Sequence, residues 1–147
     1  MLTQPILDLY LRDLNKLKEE IALFKNETEL WHTQGDVKNS PGNLALHLTG
    51  NIKHFIGAVL GNTGYVRERD KEFGDKNIAS EKIIAGIDEA IEVLNATLSK
   101  FTDEDLQKNF PIEFMGKQRS VVEMLFFFHG HFNYHLGQIN YQRRLLQ

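Results

Sequence analysis

Two histidines four residues apart, in the run His131-Phe-Asn-Tyr-His135-Leu-Gly-Gln138, face a lone upstream histidine in Leu44-Ala-Leu-His47-Leu-Thr-Gly. On a helix, His131 and His135 lie one turn apart and point the same way. With His47 reaching across from a second helix, three imidazoles suffice to hold one divalent metal ion. Such a set leaves coordination positions open for water or a substrate. Neutral imidazole suits zinc and nickel first, with iron and manganese as further candidates. The competing reading is a pair of core histidines satisfied by hydrogen bonds, or placed near an exposed end.

Four segments have the periodicity of helices that would position these groups. Leu7, Tyr10, Leu14, Leu17, Ile21 and Phe24 recur at spacings of three and four. Leu48, Ile52, Phe55 and Val59 form a stripe on a second helix, from about Gly42 to Leu60. Ile84, Ile87, Ile91, Leu94 and Leu98 form a third, with Ser80 as its expected N-cap. The fourth opens on a capping box, Ser120-Val-Val-Glu123, and runs to Arg143-Arg144, cations suited to a helix C-terminus. The expectation is one all-α domain over residues 1–147, a four-helix bundle. Residues 26–41, 61–79 and 101–119 are longer than the usual connections between neighbouring antiparallel helices. In the last of them Phe110, Ile112 and Phe114 alternate ahead of Gly116, which predicts a small β-hairpin or lid.

The seam of the fourth helix, Val121, Met124, Phe128, His131, His135, Gln138 and Gln142, is apolar at first and polar afterwards. Packing alone would keep it apolar throughout. Asn43, His47, Gly50 and His54 make a comparable polar seam on the second helix. His54 is roughly 10 Å beyond His47 by helix rise, too far to share the same ion, and is a pocket or packing residue. His129 is rotated roughly 160° from His131 and should face elsewhere. His32 closes a single Glu-x-x-His, and a di-iron bundle needs that motif twice. Gln138, Asn51 and Tyr134 are candidate pocket residues, while the catalytic residues are unassigned. Arg67 or Arg69 could pair with a ligand anion, and Glu72 or Tyr134 could assist proton transfer. The bland reading of Arg67-Glu-Arg-Asp-Lys-Glu72, a solvated charged loop, is the preferred one. Phe127, Tyr134 and Tyr141 repeat every seven residues on another side, which suggests a homodimer contact or packing beneath the long loops.

The chain has no cysteine, which removes disulfide, zinc-ribbon and thiol-nucleophile chemistry from its own side chains. A net charge of −3 gives no reason to expect a nucleic-acid binder, which usually shows a basic face. No apolar run has the length of a membrane span and no signal peptide is evident, so a cytoplasmic protein is expected.

With the histidine triad in Asn43-Leu-Ala-Leu-His47-Leu-Thr-Gly-Asn51 and His131-x-x-x-His135-x-x-Gln138, the chain resembles the DinB-like superfamily. That superfamily includes metal-dependent bacillithiol-transferase-like proteins, which use low-molecular-weight thiols. Asn39-Ser-Pro-Gly-Asn43 and Arg67 to Phe73 look like one uncharacterised branch of it. The resemblance implies a bundle in up-down-down-up order and a metal site on His47, His131 and His135. It also implies homodimers, and a low-molecular-weight-thiol S-transferase acting on small electrophiles. A hydrolase using activated water, and a non-catalytic, stress-related metal or small-ligand binder, remain as alternatives.

Overall fold

The computed structural model describes residues 2–147. Among them are six helices and no regular strand: α1 Thr3–Ala22, α2 Pro41–Ile52, α3 Arg69–Gly74, α4 Ser80–Leu98, α5 Asp103–Gln107 and α6 Val121–Leu146. A 3₁₀ turn, Glu27–Trp31, precedes α2, and α2 continues as a wider π-helical stretch, Lys53–Leu60. Among the described residues no helix is long and apolar enough to cross a membrane.

The predicted stripes supply most of the core, although Val59, Ile84 and Ile91 are only half-buried at its edge. Leu14, Leu17, Leu48, Ile52, Ile87 and Leu94 are almost wholly buried, each worth about 1.5–3 kcal/mol relative to exposure. On α6 a second buried line, Leu125, Phe132 and Ile139, turns toward α1, so this helix packs on two sides. Ser40 caps α2 through its Oγ, with Pro41 at the first helical position, and Ser120 and Glu123 form the expected capping box of α6.

Cross-helix pairings fix the directions. Tyr10 Oη donates to Leu125 O at 2.6 Å, and Arg143 Nε to Glu20 Oε2 at 2.7 Å, so α1 and α6 run the same way. Ser80 at the start of α4 donates to Glu27 just past α1, and Asp103 beyond α4 accepts from Leu2 N. Hence α4 opposes α1. His47 lies against His131, while Phe55, further along the second helix, stacks on the earlier Phe128, so α2 opposes α6. The order is up, down, down, up. Neighbours are α1 with α4, α4 with α2, α2 with α6 and α6 with α1. The first and second long helices therefore sit across a diagonal, as do α4 and α6. Their connections have to cross an end of the bundle, which explains their length.

Three local expectations need correction. Ala79, not Ser80, occupies the cap position of α4, because the Ser80 hydroxyl and N–H are both engaged by Glu27. The stretch before α6 folds back on itself, but only through isolated bridges, Asn109 with Ser120 and Phe114 with Lys117. Met115 and Gly116 turn the chain at positive φ, and Pro111 lacks an N–H to extend the ladder. Phe114 anchors this excursion on Phe55, Phe127 and Phe128. The long connections also hold two short helices that the periodicity missed, α3 and α5, the latter with a Thr102/Asp105 capping box.

Candidate metal centre

Antiparallel packing of α2 on α6 brings the three histidines together. One ring nitrogen from each of His47, His131 and His135 lies within 4.8 Å of the others, a group that could hold a metal ion. The closest approach, His47 Nε2 to His131 Nε2, is 3.1 Å. Two nitrogens bound to one ion at about 2.0–2.1 Å would sit about 3.0–3.4 Å apart, so this spacing is compatible with shared coordination.

The outward nitrogens have different surroundings. His135 Nδ1–H donates to Gln138 Oε1 at 2.7 Å, which turns its Nε2 lone pair inward. His47 Nδ1 lies 3.0 Å from Glu72 Oε1. His131 Nδ1 is buried with no hydrogen-bond partner among the described residues. Burial pushes the His131 imidazole down to about 4, aided by His135, His47 and Arg67 nearby. Burial also lowers His135, against the opposing hydrogen bond from Gln138. Both rings are thus held neutral at pH 7, the form that ligates metal. The donor set fits a divalent ion.

The charged run between the second helix and α4 is only partly a solvated loop. Glu68 and Lys71 form an exposed pair, in keeping with the solvated loop expected from the sequence. Glu72 is instead 6% exposed, and Arg67 closes on it with two hydrogen bonds, Nε to Oε2 and Nη2 to Oε1, each 2.8 Å. Burial alone would raise the Glu72 carboxyl, but hydrogen bonds from Arg67 and His47 outweigh it and hold Glu72 below its usual range. Asn43 Nδ2 donates to Glu72 O and Asp75 O, both at 2.9 Å, tying the end of α3 to the start of α2. Gly50, one turn beyond His47, provides the room: a Cβ there would collide with the Glu72 carboxylate. The Phe73 ring lies 4.8 Å from that of His47. Gly50 and Asn43 in the polar seam of the second helix were the sequence signal for this docking.

Of the remaining expected residues, Asn51 is buried on α2, one turn past His47. His54 packs edge-on to Phe55, and its buried Nδ1 has no hydrogen-bond partner among the described residues. His129 faces α1 and binds Asp13 Oδ2 at 2.7 Å. Tyr134 is exposed beside His135, and both line a groove of about 410 Å³ with Asn39, Gln138 and Gln142. A larger cavity of about 560 Å³, around Leu7, Leu98 and Phe101, contains none of the three histidines.

The family model described as "Protein of unknown function (DUF1572)" matches residues 8–147. Among solved structures, the chain is similar to a DinB-like protein from Bacillus cereus ATCC 10987, with a TM-score of 0.76 and 19% sequence identity. The match covers 97% of this chain and 91% of that one. At that identity the likeness concerns the fold. No curated protein matches the chain.

Proposed function

We propose, from the premise that this chain belongs to the DUF1572 family and has the DinB-like fold, that it binds one divalent ion through His47, His131 and His135 and acts as a thiol transferase. The observation that carries the metal reading is the convergence of three ring nitrogens at the junction of α2 and α6. Zinc and nickel are the leading ions, with iron and manganese next.

An ion held by three neutral ligands keeps its charge and its open positions, and supplies Lewis acidity that lowers the pKa of a coordinated thiol or water. The chain's own residues set who can react. With no cysteine in the sequence, any thiol comes from a cosubstrate. The groove lined by Tyr134 and His135 meets the triad at His135, the edge at which a small molecule would reach it. Arg67 is committed to Glu72, so it is not counted as a receptor for a ligand anion. The choice of thiol transfer over hydrolysis rests on the resemblance to the DinB-like superfamily.

Three arms test the reading on metal-loaded protein: a small aliphatic thiol with a chromogenic aryl halide, the same halide without thiol, and an activated ester without thiol. Thiol-dependent turnover that is lost in His135→Ala supports the transferase. Ester turnover without thiol assigns the hydrolase. Stoichiometric metal with no turnover in any arm leaves a binding protein. The reading also includes a homodimer, supported by the exposed aromatics Phe127, Tyr134 and Tyr141 along α6.

A further inference from the structure

His47 Nδ1 has two polar neighbours that make opposite demands on it. Glu72 Oε1, at 3.0 Å, can only accept, so it requires a proton on Nδ1. Arg67 Nη2, at 3.3 Å, can only donate, so it requires a bare lone pair there. The distances and charges decide between them. The carboxylate is closer, and Arg67 already satisfies its own better geometry by forking onto Glu72 at 2.8 Å twice. A bare Nδ1 would set two lone pairs against each other across 3.0 Å in a buried site, a costly arrangement.

We propose that Glu72, clamped by Arg67, is a positioning residue that fixes His47 as the Nδ1–H tautomer and aims its Nε2 lone pair at the centre of the triad. Arg67 has a separate part in this. It holds both carboxylate oxygens and balances their charge, so that the buried carboxylate is not left without a counter-ion. His131 fits the same pattern: with His47 Nε2 bare, the 3.1 Å contact is a hydrogen bond from His131 Nε2–H when no ion lies between them. The support is built into the fold through Gly50, which leaves space for the carboxylate, and Asn43, which secures the end of α3.

The inference deepens the metal reading but depends on it only for its consequence, so the two are tested separately. Long-range proton–nitrogen correlation spectra of the metal-free protein read the tautomer of His47 directly, with His47→Gln used to assign its ring. Wild type is expected to show Nδ1–H, and Glu72→Ala to shift the ring to Nε2–H or to a mixture. Nε2–H in wild type, or an unchanged tautomer in Glu72→Ala, overturns the proposal. Should Glu72→Ala fail to fold, Glu72→Gln decides: its amide oxygen still accepts, but as a neutral group. The Nδ1 proton should then move upfield, and an unmoved resonance overturns the proposal. Cobalt titration of the folded variants measures the consequence, an expected loss of about 10–100-fold in affinity for Glu72→Ala. Wild type that takes up no cobalt, zinc or nickel sinks the metal reading, while the tautomer still decides the role of Glu72.

Discussion

In acid, the α6 histidines should fail before the carboxylates do. The folded state lowers His131 from 6.5 to about 4 and moves His135 in the same direction, chiefly by burial. The unfolded chain therefore takes up these protons first, and folded stability declines as pH falls below about 6.5. Asp13, Glu20 and Glu72 are also lowered: burial opposes the shift, but their hydrogen bonds exceed it. Their contribution is full above the unfolded values of 3.8 and 4.5 and is lost as pH drops further. Urea midpoints of metal-free protein from pH 8 to 3 should accordingly fall in two stages, with the upper stage reduced in His131→Gln. A flat profile down to pH 5 would contradict the burial of these rings. Glu20 is nearly inaccessible and is met by Arg143 and Asn140. Arg143→Ala, which strands this carboxylate, should cost about 3–5 kcal/mol in chemical denaturation.

Glycines separate docking sites from ordinary helix at the level of elements. Gly86 on α4 has nothing within 4 Å of a Cβ, so Gly86→Ala should stabilise by about 0.5–1 kcal/mol. The same change at Gly50 forces the Glu72 carboxylate out of the Arg67 fork. Gly50→Ala should therefore reverse the sign, losing about 1–3 kcal/mol and weakening metal uptake. Equal thermal shifts for the two variants would mean that α3 is not docked as described. The same contact explains what could and could not be read in the sequence. The seam of α6 turns from Phe128 to His131 within one turn, so the His131/His135 pair was legible in the spacing, while His47 came from the polar seam of the second helix and the family resemblance. Arg67 and Glu72 sit in a run that, by charge, belongs in water. Only two of its members are drawn in, and His47, which both meet, lies on α2 twenty or more residues earlier. A turn of six residues, as in α3, is also too short for periodicity to detect. The hairpin expectation correctly gave the fold-back but not its extent, because Pro111 breaks the ladder.

Over the whole molecule, the diagonal arrangement of the long helices leaves one side of α6 uncovered. Phe127, Tyr134 and Tyr141 are 43%, 66% and 65% exposed there. If a second copy covers them, light scattering at micromolar concentration should give twice the mass of the chain, and Tyr134→Glu should give a monomer. A monomeric wild type would remove the dimer while leaving the triad as it stands. The up-down-down-up order has the larger functional consequence, because it sets His47 of a descending helix against His131 and His135 of an ascending one. The most direct measurement is therefore metal content of tag-free protein by plasma mass spectrometry, with wild type beside His47→Ala and His135→Ala. Near-stoichiometric divalent metal in wild type, lost in both folded variants, is the predicted result. Metal-free wild type that also refuses zinc, nickel, iron and manganese in equilibrium dialysis would contradict it, and the three imidazoles would then be a packed polar cluster.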